Sequence, residues 1–259
     1  MMPSNITITR DYRVSKALLA PPSPEQVRLF YNSIDPNRKS DDPWHSYSRD
    51  RVESFIINYL AGIHVGDKLR VLNAGSGGNS FGDNYKRDYH VDLACRGLRM
   101  KRAAVADVQR LPFPDKSFDL TICVGSVINY CDAALAISEL SRTLKGSGRL
   151  ILEFEQSGSL EFLLTPAFRS NAHVIETFYN HHVQYLWVYS ERYVENLLDS
   201  NGLSVLLTER FHIASPLILR LTQSPKISAR FAKADKLLQE INSILKLSCN
   251  VIFACEKTA

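Results

Sequence analysis

The chain has 259 residues, 31 Lys and Arg against 27 Asp and Glu, and a formal charge of +4. That length suits one generous domain needing no metal or disulfide staple, and the slight, dispersed charge argues against nucleic acid as a partner. The five cysteines, Cys95, Cys123, Cys131, Cys249 and Cys255, lack a C-x-x-C spacing and sit mostly in apolar runs, which points to reduced thiols and to no metal site. No apolar run reaches ~18 residues and the start lacks a charged segment followed by an apolar one, so a cytoplasmic protein without a membrane span is expected.

Residues 1–47 mix prolines, aromatics and turn formers and read as an irregular arm, giving expected divisions of 1–48 for the arm and 49–259 for the main domain. Val52, Phe55, Ile56, Tyr59, Leu60 and Ile63 recur at helical spacing and predict a helix of about 49–61. It leads into Leu69-Arg-Val-Leu-Asn-Ala-Gly-Ser-Gly-Gly-Asn79, a short buried strand ending in a glycine turn. Freed amides there would cradle a polar or anionic group at the carboxyl end of the first strand. Alone, the same glycines also suit an ordinary tight turn.

Further strands are expected at Tyr89–Ala94 and Ala103–Asp107 after short links with no helical pattern, so the first two crossovers look truncated. Because parallel strands need a covered crossover face, another segment, such as the arm, is expected to cover the sheet there. Pro112 and Pro114 fix a turn before the strand Asp119–Gly125. Asp132 caps a helix carrying Leu135, Ala136, Leu140 and Leu144, which Gly146 closes before the strand Gly148–Phe154. Residues 157–189 interrupt this alternation with aromatics and histidines. Ser190 then caps a helix ended by Gly202, Leu203–Leu207 is a strand, a basic helix presents Phe231, Ala234, Leu238, Ile241 and Leu245 on one face, and Cys249–Cys255 is the last strand. Strand and helix alternate, as in an α/β layered sheet.

The ordered set Val-Leu-Asn-Ala-Gly-Ser-Gly at 71–77, Val91-Asp92, Ala106-Asp107, Leu-Pro-Phe-Pro-Asp-Lys-Ser-Phe-Asp at 111–119 and Glu139-Leu-x-Arg-x-Leu-Lys145 resembles class I S-adenosylmethionine-dependent methyltransferases of the small-molecule, domain-11-like group, over roughly residues 50–156 with a looser echo to 210. The resemblance implies a Rossmann-like fold: a seven-stranded, mostly parallel sheet with an antiparallel last strand and helices on both faces. It implies S-adenosyl-L-methionine as cofactor and a small organic acceptor, such as a natural product, lipid or quinone, methylated on O, N or C. It also implies cofactor contacts from Asn73, Ala74, Gly75, Ser76 and Gly77, from Asp92 and Leu93 toward the ribose, from Asp107 and Val108 toward adenine, and from Val124, Gly125 and Ser126 beside the sulfonium, with Tyr47 as a further contact. Two positions depart from the pattern: Asn73 stands where an acid is usual and Asn79 where a third glycine is usual.

For catalysis the candidates are His181, Tyr130 and Asn129, with His173, His182 and Glu155 as other possible bases. Adjacent His181 and His182 cannot both face one pocket from a strand, which argues against a metal. Residues 157–189 and 211–247 are expected as substrate-side insertions, with Trp44, His45 and Tyr47 completing the acceptor pocket; the alternative for the aromatic rings is packing on the sheet. Two other functions stay open. One is a methyltransferase-like protein that binds cofactor without catalysis. The other is a dinucleotide-dependent oxidoreductase, although Gly75-x-Gly77-x-x-Ser80 departs from G-x-G-x-x-G. A nucleic-acid methyltransferase would carry an Asp/Asn-Pro-Pro-aromatic loop, which this chain lacks.

Overall fold

The computed structural model describes residues 20–33, 43–62, 69–80, 87–179, 182–238 and 241–259. Two helices open it, α1 (Pro24–Ser33) and α2 (Pro43–Ala61). Both enter the stretch read as an irregular arm. The prolines there start helices rather than break them: Pro24 follows Ser23, whose Oγ accepts from Gln26 N (3.2 Å) while Gln26 Oε1 accepts from Ser23 N (3.1 Å). This is a reciprocal capping box with Pro at the first helical position, a signal the composition hides.

The strands are β1 (Arg70–Ala74), β2 (Arg87–Asp92), β3 (Ala103–Val105), β4 (Phe118–Cys123), β5 (Leu144–Glu155), β6 (Ala172–Tyr179), β7 (His182–Tyr189), β8 (Leu203–Phe211) and β9 (Asn250–Lys257). Seven form one sheet in the order β3-β2-β1-β4-β5-β9-β8, while β6 and β7 make a separate antiparallel hairpin. The first five strands of that order pair in parallel and β9 runs antiparallel to both of its neighbours. The expected antiparallel last strand is therefore present. Among the described residues, the three connections linking β1, β2, β3 and β4 contain no helix, in keeping with the short first two links and the proline-fixed turn before β4.

Period two along the strands divides the core. Leu72, Ala74, Val91, Leu150 and Phe253 pack with α3 (Ala133–Thr143) and α4 (Glu191–Ser200) through Ala136, Ile137, Leu140, Val194 and Leu198. On the opposite face Val71, Leu120, Ile122, Ile151 and Ile252 pack under Val52, Phe55, Ile56 and Leu60 of α2. Thus α2 covers the face left bare by the short crossovers. Caps at Asp132, which accepts from the amides of Ala134 and Leu135, and at Ser190, which accepts from Tyr193 N, stand where expected, and Gly202 follows α4 at φ +70°.

Two expectations fail. Gly146 does not close α3, which ends at Thr143; its hydroxyl donates back to the carbonyls of Glu139 and Leu140, the chain turns extended at Leu144, and Gly146 lies inside β5. The basic helix is not continuous either. It is divided into α6 (Pro225–Leu238) and α7 (Asn242–Leu245), after α5 (Ser215–Thr222), and Phe231 and Ile241 are exposed. The rotation of α6 follows a polar anchor instead. Buried Asp235 accepts from Ile213 N (2.8 Å), Ala214 N (3.0 Å) and Ser215 Oγ (2.9 Å), so Ser228, Ala232 and Asp235 face inward. Satisfying a buried carboxylate outweighs burying one phenylalanine.

Candidate active site at the carboxyl edge of the sheet

The central strands end together, so the turns after β1, β2 and β4 converge. Gly75 leaves β1 at φ +70°, and a Cβ there would lie 2.3 Å from a γ-carbon of Val127, so the glycine turn is seated on the segment following β4. The expected cradle of free amides is not found. Gly75 N and Ser76 N donate to Val91 O (2.8 and 3.2 Å), Gly77 N to Asp92 Oδ2 (2.7 Å), Gly78 N to Ser76 Oγ (3.2 Å) and Asn79 N to Ser76 O (2.8 Å). The turn binds itself and the end of β2.

Asp92 sits at the end of β2 as expected, its other oxygen accepting from Ala94 N (2.8 Å), and burial pushes its carboxyl above the usual range. Leu93 beside it is half-buried. Asp107 follows β3, with both carboxylate oxygens already taking Gln109 Nε2 (3.1 and 3.0 Å) and Oδ1 also taking Gln109 N (2.9 Å); Val108 is buried. Gln109 in turn accepts from Asp132 N (3.0 Å), tying this loop to the cap of α3.

Asn73 is buried with its amide donating to Asp88, which also holds His90 Nε2 (2.9 Å) and Ser80 Oγ (3.0 Å). The negative charge missing from position 73 therefore lies on the neighbouring strand, and the Asn73 donor is turned to it rather than to the site. Asn73 Oδ1 and His90 Nδ1 have no partner among the described residues.

After β4, Val124 is buried while Gly125 (φ +89°) and Ser126 (φ +58°) are successive left-handed residues opening the 3-10 turn Val127–Tyr130. A Cβ on Gly125 would meet no atom within 4 Å. This open flank adjoins the segment at Val127 on which the glycine turn is seated. The signal missed in the sequence is Glu153, a carboxylate in the apolar run of β5. It is 2% exposed and accepts from Gly125 N (2.8 Å), Ser126 N (2.6 Å) and Asn250 Nδ2 (2.7 Å). Burial raises its carboxyl above the usual range.

The catalytic candidates separate. His181 lies outside the described residues. Asn129 is buried and fully spent: Nδ2 donates to Glu155 O (2.8 Å) and Trp187 O (2.7 Å), and Oδ1 accepts from Glu155 N (2.9 Å). It is a clamp between β5 and β7, not a free contact for an acceptor. Tyr130 is half-buried and meets Tyr31 of α1 edge-on at 5.6 Å. His173 is half-buried on β6, where burial lowers its imidazole.

Tyr47 does not join the cofactor residues. It packs at 5.1 Å against His212, just past β8, and its hydroxyl is buried without a partner among the described residues. β8 is four strands from β1, roughly 19 Å at ordinary strand spacing. Trp44 stacks on the same His212 at 3.8 Å and is 4% exposed, so this part of α2 seals the β8 edge. Many rings of 157–189 are also core. Phe162 is buried with Ile175, Leu186 and Val188, and buried Tyr189 stacks on Trp187 at 5.9 Å and donates to Cys131 O (2.7 Å).

What spans the site is α1. At its end, Asn32 Oδ1 accepts from Arg96 N (3.3 Å) and Asn32 O from Arg96 guanidinium (3.0 Å) in the loop after β2. Tyr31 reaches Tyr130, and a cleft of about 340 Å³ separates α1 from β7, lined by Gln26, Leu29, Phe30, Val183 and Tyr185 among others. Mostly apolar clefts with a few amides suit small organic ligands.

The comparisons agree with this geometry. A family model described as "Methyltransferase domain" matches residues 74–152. A ubiquinone/menaquinone biosynthesis C-methyltransferase of Saccharophagus degradans is 50% identical over 72 residues, 27% of this chain and 28% of that protein. The chain spans less than half the length of the curated relatives it matches, 41% and 42% for two uncharacterized proteins of Methanocaldococcus jannaschii. Among solved structures, the 1,6-didemethyltoxoflavin-N1-methyltransferase of Burkholderia thailandensis aligns at TM-score 0.58 and 13% identity, covering 100% of this chain and 98% of that one. The cyclase SpnF aligns at TM-score 0.60 and 14% identity, covering 95% and 100%. At these identities the structures speak to fold alone. Residues 74–152 thus resemble a methyltransferase domain, and the strand order and converging turns agree with the fold of such proteins.

Proposed function

We propose that the protein transfers a methyl group from S-adenosyl-L-methionine to an O, N or C atom of a small organic acceptor. The observation carrying this reading is the convergence, at one sheet edge, of the glycine turn, the Asp92 carboxylate and the open flank of Gly125. Bound there, the cofactor supplies an already activated methyl on a sulfonium. The chain's task is then alignment, which can be worth ~7–11 kcal/mol. Asp92 offers a charged acceptor for paired hydroxyls, Asp107 and buried Val108 flank the place for a heterocycle, and Gly125 leaves room for the reacting centre. The cleft beneath α1 holds the acceptor, and Tyr130, which meets Tyr31 of the same helix, is the candidate side chain to contact it. A base would add ~10²–10⁴ only where the acceptor carries a proton of high pKa.

A second reading, cofactor binding without transfer, is favoured by two observations: the turn amides are consumed internally, and the Asn73 donor faces Asp88. The five free cysteines fit a reducing, cytoplasmic setting. Among the described residues, no helix is long and apolar enough to cross a membrane. Calorimetry with S-adenosylmethionine and S-adenosylhomocysteine, followed by methyl-labelled cofactor in cell extract, tests both readings. Binding plus a labelled small product is expected. Binding without any labelled product favours the second reading, and binding of NAD with neither sulfur compound refutes both.

A further inference from the structure

Glu153 stands out as a buried acid used by no step above. Among the described residues its partners are three N–H donors and no cation. A carboxylate without a counter-charge is costly to bury and persists where its hydrogen bonds are needed. Here a single oxygen, Oε2, gathers the amides of Gly125 and Ser126, at 2.8 and 2.6 Å. Those two residues both have positive φ, which turns successive N–H groups to one side in the concave arrangement that ordinarily binds an outside anion. In this chain the anion is built in. For Ser126 the left-handed conformation is strained, so the turn needs such a partner to hold it. Oε1 is held in turn by Asn250 of β9, at 2.7 Å, so the carboxylate cannot swing away.

We infer that Glu153 is a positioning residue: as the internal anion of the Gly125–Ser126 concavity, locked by Asn250, it holds open the flank of Gly125 against which the methyl donor lies. This inference rests on the methyl-transfer reading for the identity of the ligand, but not for the geometry of the clamp. The side chain acts through backbone and touches no reacting atom. Its neutral isostere exposes the logic. In Glu153→Gln the amide oxygen can still accept from Gly125 and Ser126, but the new NH₂ faces the NH₂ of Asn250, donor against donor. Adding Asn250→Asp restores the pairing with roles exchanged.

The test uses three full-length proteins, wild type, E153Q and E153Q/N250D, with thermal unfolding to confirm folding. Calorimetry with S-adenosylhomocysteine should show E153Q weaker by about tenfold, the scale of one lost charge-assisted hydrogen bond. The double variant should recover to within about threefold of wild type. Amide NMR gives a second reading that needs no ligand. The Gly125 and Ser126 protons should lie downfield in wild type, move upfield in E153Q and return in the double variant. Folded E153Q with wild-type affinity and unmoved amides overturns the inference, as does a folded double variant as weak as E153Q. If wild type binds neither sulfur compound, the methyl-transfer reading fails by itself, and the amide shifts alone decide whether Glu153 holds the turn.

Discussion

Replacing Gly75 by alanine probes how the glycine turn is seated. The added Cβ would stand 2.3 and 2.7 Å from the two γ-carbons of Val127, well inside contact distance, on a backbone at φ +70°. The left-handed conformation costs an alanine about 1–2 kcal/mol. Overpacking against Val127 adds about 1–3 kcal/mol, since Gly75 N is tied to Val91 O and the turn cannot simply retreat. A loss centred on ~3 kcal/mol follows, and at roughly 2–4 °C per kcal/mol in a protein of this size the midpoint should fall by about 6–12 °C. Urea unfolding of G75A, V127A and G75A/V127A measures the coupling directly. Removing the Val127 methyls should return the overlap portion and leave the backbone strain, giving a coupling energy of about 1–3 kcal/mol. A G75A midpoint equal to wild type, or strict additivity with V127A, would refute the contact between the β1 turn and the segment after β4, and with it the description of the site floor.

Asp92→Ala should weaken S-adenosylhomocysteine binding about 10- to 100-fold by calorimetry, because it removes a charged acceptor from two hydroxyls at once and also frees the amides of Gly77 and Ala94; Asp107→Ala should cost less, since it would remove an acceptor for a single amino group, and the reverse order would overturn the assignment. Asn129→Ala leaves Glu155 N and O and Trp187 O without their partner, so urea unfolding should show a loss of about 2–4 kcal/mol; loss of turnover at wild-type stability would instead return Asn129 to catalysis. The Arg142 guanidinium beside Glu139 holds that carboxyl below its ordinary value of 4.5. A depressed acid contributes stability above its unfolded value that is lost as pH falls through its folded value. The stability gap between wild type and Arg142→Ala should thus be full at neutral pH and shrink below about pH 4, retaining the part due to the carbonyls of Leu111 and Phe113, which Arg142 also holds; a gap independent of pH would exclude the ion pair.

Local periodicity and short motifs were enough to place many elements of this chain. The strand at 70–74 and its glycine turn, the acid ending β2, the caps at Asp132 and Ser190 and the stop at Gly202 were all legible, because each depends on neighbours within a few residues. Even the missed start of α1 was written there as Ser23 and Gln26, read as a break only because prolines surround it. Which groups those elements bring together depends on packing between distant segments. Tyr47 and Trp44 lie within ten residues of helix positions that cover β1 and β4, yet the axis of α2 carries them to His212 at the far edge. Phe231 is turned outward because Asp235, four residues on, is fixed by amides at 213 and 214. Glu153 is an anomaly in an apolar run until Gly125, Ser126 and Asn250 arrive, 28, 27 and 97 residues distant. Asn129 is likewise a plausible reactive amide until β5 and β7 close on it. A buried polar group is defined by partners that no sequence window contains, and its need for them, stronger than any periodic preference, set the form of this site.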